Sequence, residues 1–153
     1  YRSELEKAAQ NSQFPDRVTF TGILPREKLN RVYQNTSVFV FPSLTDTQGL
    51  VLHEAAHAGC PLVLIDDEVS EVVEGGKNCL FAQNTSSSLS LKVLDILNST
   101  ERQKEFSSYS KKLAEKYTEH IQVQALVKLY DASIAHREVE PRRGWIDRLF
   151  GRN

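Results

Sequence analysis

Two short apolar runs, residues 37–41 (SVFVF) and 62–65 (LVLI), carry no alternation of polar and apolar side chains. A strand with one wet face alternates, whereas a strand buried on both faces does not. Uninterrupted runs of this length suit the interior of a parallel sheet. Parallel neighbours need a long crossover, usually a helix. The intervening stretch supplies one: Pro42 closes the first run, a polar loop (43–48) leads to Gly49, and residues 50–58 read as a helix. That helix stops at Gly59, with Pro61 just beyond. Upstream, residues 2–11 read as a helix with Leu5, Ala8 and Ala9 on one side, broken by Pro15. A β-rich run follows at 18–20, and Pro25 opens a second helix striped by Leu29, Val32 and Tyr33. Downstream come an acidic loop (66–68), a short helical turn (70–74), a Gly75-Gly76 turn and one more short strand at 79–81. After Asn84, helical periodicity runs over 86–97, 101–117 and 121–135. Helices alternating with strands predict an α/β fold: a doubly wound, Rossmann-like parallel sheet with right-handed crossovers and C-terminal helices.

Composition narrows the classes. Nineteen Lys and Arg against 20 Asp and Glu give a net charge of −1 over 153 residues, which excludes a chain-wide binder of nucleic acid. No apolar run approaches the roughly 20 residues of a membrane span, and no signal-peptide pattern opens the chain. Cys60 and Cys79 are too few for a disulfide framework and lack metal-pair spacing, so reduced thiols in a cytoplasmic setting are expected. The chain has no Met and starts at Tyr1, which predicts a piece of a longer protein, truncated at its N-terminal end.

Residues 42–61 (PSLTDTQGLVLHEAAHAGCP) support two chemistries. The first is zinc. His53-Glu54-Ala55-Ala56-His57 matches H-E-x-x-H, with both imidazoles on one helix face and Glu54 beside them as a general base. A third ligand at the extended spacing is missing, because Cys60 and Val63 stand in its last two fixed places. Glu71 or Glu74 would have to serve instead. The second is an anion at a helix N-terminus. The first turn after Gly49 has backbone N–H groups without intrahelical acceptors and the positive end of the dipole. Glycine lets a phosphate approach the backbone. Asp46 in the loop and Glu54 one turn inside the helix bracket that mouth. Carboxylates accept hydrogen bonds from sugar hydroxyls, so a nucleotide-sugar is the expected ligand. The plainer alternative has Asp46 making a turn and Glu54 facing solvent.

These residues resemble the C-terminal, donor-binding domain of a retaining glycosyltransferase of family 4, with the GT-B architecture of two Rossmann domains. That family carries Pro-Ser, a Glu, seven residues, a second Glu within Glu-Ala, then Gly-x-Pro and a buried strand. Pro42-Ser43, Asp46, Glu54-Ala55 and Gly59-Cys60-Pro61 stand in that order, with seven residues between Asp46 and Glu54. Residues 17–22 (RVTFTG) are similar to the strand and turn before the family's nucleobase loop. Residues 70–81 (SEVVEGGKNCLF) are similar to a later family segment, and the resemblance covers roughly residues 1–133.

The resemblance implies a role for each matched position. Glu54 would hold the ribose hydroxyls, and Asp46, one methylene (about 1.5 Å) shorter than the family's Glu, would contact the transferred sugar. Backbone N–H groups of Gly49, Leu50 and Val51 would receive the diphosphate, with Ser43, Thr47 and Gln48 in the same loop. Ile23 and Leu24 would lie against the base. Asp46 and Glu54 are thus the candidate catalytic pair. No cofactor and no metal are expected, since the donor, a UDP-hexose, is a substrate and its own phosphate acts as base. The family's diphosphate-clamping Arg and Lys, and its N-terminal acceptor domain, would lie upstream of Tyr1. The run Thr47-Gln48-Gly49-Leu50 is similar to that of members acting on membrane glycolipids. The rival from another class is a non-catalytic, degenerate binding module.

Residues 141–153 (PRRGWIDRLFGRN) stand apart from a nucleotide-sugar-binding domain at 1–140. Four arginines against Asp147 give the segment a net charge of +3, and Trp145, Ile146, Leu149 and Phe150 share one helical face. A basic amphipathic segment can lie on an anionic membrane surface or dock on protein, such as the missing domain. The chain is therefore expected in the cytoplasm or at the cytoplasmic face of a membrane.

Overall fold

A computed structural model describes residues 1–46, 49–67 and 69–139. The chain divides into two compact units, Tyr1–Thr36 and Ser37 onward. The first holds helices α1 (Arg2–Gln10) and α2 (Arg26–Gln34), with a 3₁₀ turn at Pro15–Arg17 between them. Pro25 stands immediately before α2, as its fixed φ favours, and Tyr33 is the residue α2 buries. Residues 18–20, expected as a strand, are not one. The Val18 N–H closes the preceding turn onto the Pro15 carbonyl at 3.2 Å, and Val18 and Phe20 are exposed. Three extended residues without a hydrogen-bonded neighbour do not make a sheet, whatever their propensity.

The second unit is an α/β sandwich. Strands β1 (Phe39–Phe41), β2 (Leu62–Leu64) and β3 (Cys79–Phe81) form one parallel sheet in the order β1-β2-β3. Val40 sits opposite Val63, and Val63 opposite Leu80. These three valine and leucine side chains share one face of the sheet, because strand side chains alternate. Helices α4 (Ser86–Leu97) and α5 (Thr100–Ala114) cover that face: Val63, Ala82, Ile96 and Phe106 form a buried cluster, with Val40, Leu80, Leu89 and Val93 packed around it. On the opposite face Leu62, Leu64 and Cys79 are fully buried, and the Phe39 and Phe41 rings stack with centroids 6.4 Å apart. The architecture is Rossmann-like α/β, as the alternation of runs and helices predicts.

Helix α3 (Leu50–Ala58) is the crossover between β1 and β2. It is bracketed by two glycines in the left-handed region, Gly49 at φ +53 and Gly59 at φ +87. It buries Leu52, Ala55 and Ala56 and packs its C-terminal end against α5. Gly59 lies against Ser107 and Lys111, and the Ser110 hydroxyl donates to the Cys60 carbonyl at 2.9 Å. Residues 70–74 make a turn, not helix, closed by a 3.4 Å bond from the Val73 N–H to the Ser70 carbonyl. Helix α6 (Glu119–Val139) follows a 3₁₀ turn at Glu115–Tyr117. Among the described residues no helix is long and apolar enough to cross a membrane.

Candidate functional site

The C-terminal end of β1 delivers the chain to the mouth of α3. Pro42 cannot continue the ladder, and the Ser43 hydroxyl takes the Thr45 N–H at 3.4 Å, a weak local turn. Asp46 then accepts the Gly49 N–H on Oδ1 at 2.7 Å. A carboxylate one turn ahead of a helix satisfies an orphan donor and complements the dipole. Gly49 is buried and left-handed, and the Leu52 N–H donates to its carbonyl at 2.7 Å. A Cβ on Gly49 would meet Leu52 Cδ1 at 2.8 Å, so glycine is required by both conformation and space. Helix geometry leaves the Leu50 and Val51 N–H groups without intrahelical acceptors.

The candidate residues are therefore only partly gathered. Asp46, Gly49, Leu50 and Val51 lie at one helix mouth, beyond the carboxyl end of a parallel strand, where such folds bind ligands, and Glu54 lies one turn further along α3. Leu50 and Val51 are exposed, Ser43 is half-buried, and Glu54 is half-buried on the second turn of α3. The Gly49 amide, expected to receive diphosphate together with its two neighbours, is engaged by Asp46 here. Thr47 and Gln48 lie outside the described residues, as does the segment 141–153. Ile23 and Leu24 belong to the first unit, where Ile23 is exposed and Leu24 half-buried.

The H-E-x-x-H match takes a different course from a zinc site. His53 Nε2 lies 3.1 Å from Ser70 Oγ, and its ring meets Tyr117 edge-on with centroids 5.9 Å apart. His57 and Glu71 are exposed. Glu74 accepts the Tyr109 hydroxyl and pairs with Lys77, and the Lys77 ammonium stands 5.5 Å from the Tyr109 ring centre. Lys77 and then Tyr109 hold the Glu74 carboxyl below its ordinary range, while Glu74 pushes both Lys77 and Tyr109 upward. Among the described residues no three His, Cys, Asp or Glu side chains gather as a metal-binding group.

Several contacts were invisible to sequence reasoning. Buried Asn78 accepts the Glu74 N–H and donates to the Val72 carbonyl, both at 2.8 Å, which closes the turn before β3. Its position after Gly75-Gly76 was a turn signal, but nothing local marked its side chain as buried. The partners of His53 had no signal at all, since Ser70 is 17 residues away.

Comparison with known proteins agrees with this fold. Residues 1–113 match the family described as Glycosyl transferases group 1. Sulfoquinovosyl transferase SQD2 of Arabidopsis thaliana is 30% identical over 122 residues, covering 76% of this chain and 23% of that protein. An alpha-monoglucosyldiacylglycerol synthase of Streptococcus pneumoniae is 32% identical over 63 residues, 41% of this chain and 14% of that enzyme. The structure of sucrose-phosphate synthase from Thermosynechococcus elongatus superposes with a TM-score of 0.75 at 25% identity, covering 88% of this chain and 35% of that one. A pneumococcal O-GlcNAc transferase, solved with UDP and GlcNAc, has the same fold at a TM-score of 0.70 and 20% identity, covering 90% of this chain and 28% of that one. The chain thus spans less than a quarter of the curated relatives and about a third of the structural ones. A match running through the β1–α3 mouth and on to residue 113 covers well over half of the sequence, and the chain belongs to the group 1 glycosyl transferases.

Proposed function

We propose that this chain is the C-terminal, donor-binding part of a retaining glycosyltransferase of family 4, and that the mouth of α3 holds the diphosphate of a UDP-hexose. One observation carries this reading: α3 opens at a left-handed glycine at the end of the loop that leaves a parallel strand, with a carboxylate already drawn to its first amide. An anion is stabilised at that point, and a diphosphate would use the Leu50 and Val51 amides there. Binding would displace Asp46 from Gly49 and free it for a sugar hydroxyl, while Glu54 takes the ribose. Transfer of the hexose leaves charge on the departing diphosphate, and fixed amides at a helix start stabilise it without reorganisation. In this mechanism the donor phosphate takes the acceptor's proton. The acceptor would be a glycan or a lipid, and the similarity to alpha-monoglucosyldiacylglycerol synthases supports the lipid. The acceptor-binding domain, and the cations that clamp the diphosphate, would come from the rest of a longer protein working at a cytoplasmic membrane face. No cofactor or metal takes part.

The isolated chain should show no turnover and weak nucleotide binding. Titration with UDP and UDP-glucose should shift the amide resonances of residues 49–51, and Glu54→Ala should abolish the shift. An unchanged response in Glu54→Ala would remove Glu54 from the site. A second reading, a non-catalytic binding module, draws on Asp46, which replaces the family's Glu and caps Gly49. Absence of any shift in wild type at millimolar UDP would favour that module.

A further inference from the structure

The contact between His53 and Ser70 lies outside the machinery described above, yet it joins two elements that meet at the mouth of α3. His53 stands on α3 beside Glu54, and Ser70 stands in the connection that follows β2. That connection reaches the start of α3 directly: Val69, buried, has its Cγ2 3.5 Å from where a Gly49 Cβ would be. Residues 69–73 are held at their far end, where Asn78 takes the Val72 carbonyl and the Glu74 N–H and Tyr109 donates to the Glu74 side chain. At the near end Ser70 Oγ accepts the Val72 N–H at 3.5 Å and shares a hydrogen bond of 3.1 Å with His53 Nε2. Tyr117, in the turn after α5, meets the His53 ring edge-on.

We infer that His53 is a positioning residue: through Ser70 it fastens residues 69–73 against Gly49 and so fixes one wall of the α3 mouth. This inference rests on the nucleotide-sugar reading of that mouth. His53 itself need not touch the donor. A wall free to move would let Val69 withdraw from Gly49, and the amides of the first turn would no longer be presented in one arrangement. Preorganised donors lose affinity when their supports are removed.

The test uses the full chain as wild type, His53→Ala, His53→Gln, Ser70→Ala and the double alanine variant. Two readouts are taken: amide hydrogen exchange of residues 69–73, and UDP affinity from the resonances of residues 49–51. Both single alanine variants should speed exchange at residues 69–73, leave β2 and α5 unchanged, and weaken UDP binding about five-fold, the scale of one lost hydrogen bond. The double variant should resemble Ser70→Ala, because the His53 contact is removed in all three and the weak Val72 contact in both Ser70 variants. His53→Gln, whose terminal amide can bring either its donor nitrogen or its acceptor oxygen to the place of Nε2, should recover most of both effects. Unchanged exchange in His53→Ala and Ser70→Ala would overturn the inference, and so would faster exchange with unchanged UDP affinity. If wild type does not respond to UDP, the nucleotide-sugar reading fails. Exchange alone then decides the fastening, upheld by a rise in both alanine variants and refuted without one.

Discussion

Gly49 combines a left-handed backbone with contact on Leu52 and Val69, and no other residue meets both demands. Gly49→Ala should therefore cost about 1–3 kcal/mol of stability, from the positive φ and the displaced Leu52. Urea denaturation of the variant checks this, and a loss under about 0.5 kcal/mol would mean that the helix start relaxes freely. Asn78 makes a comparable case in a turn. Its side chain is fully buried and both amide atoms are paired, so Asn78→Ala leaves a donor and an acceptor of the turn without partners. The expected loss is about 2–4 kcal/mol, read from the same unfolding curves. Residues of this kind show why a glycine could be picked out in the sequence and an asparagine could not. Gly49 is required by its own φ, a local property, whereas Asn78 is buried by strands that converge on it.

At the scale of elements, start and stop signals located helices well. The bounds of α3 followed from two flanking glycines, and α4 begins after Thr85, whose hydroxyl accepts the Ser88 N–H at 3.2 Å. Thr85→Ala should lower stability by about 1 kcal/mol through that cap alone. Ile96→Ala, in the same helix but inside the cluster on the sheet, should cost about 2–5 kcal/mol. Thermal melts of the two variants separate capping from packing, and equal losses would refute that division. Strands were less legible. Residues 39–41 and 62–64 pair because each lies beside another strand, while residues 18–20, no less β-prone, spend an amide on a local turn instead. Strand propensity describes a surface that needs a neighbour, and the neighbour is not encoded nearby.

At the scale of the whole molecule, the buried thiols and the Glu74 carboxyl contribute to the response to pH. Burial pushes Cys60 up to about 11 and Cys79 up to about 12. An unfolded thiol ionises near 8.5, so above about pH 9 the unfolded state binds fewer protons than the native state. Stability should fall from there until the native thiols themselves ionise, and Tyr109, also raised, adds to the alkaline loss. Glu74 acts at the other end. Its native carboxyl titrates below the unfolded one, so its contribution is present above the ordinary carboxylate range and is lost as the pH falls through the native value. Urea midpoints between pH 3 and 11 should trace a broad maximum near neutrality, and a Cys79→Ala variant should flatten the alkaline limb. The native thiols should also resist alkylation at pH 8 until denaturant is added. Rapid labelling of native protein would contradict their burial.

Local chemistry determined the order of most elements and the glycine-bounded crossover helix, because helix periods, caps and left-handed glycines act within a few residues of one another, while the family resemblance was carried by the spacing of motifs along residues 17–81. Tertiary structure decided what the polar side chains do with that frame. Tyr109 reaches Glu74 across 35 residues, Ser110 reaches Cys60 across 50, and His53 reaches Ser70 across 17. Those partners meet only after the sheet is paired and α5 is laid against α3. A hydrogen bond of about 3 Å depends on that packing, which no local pattern records.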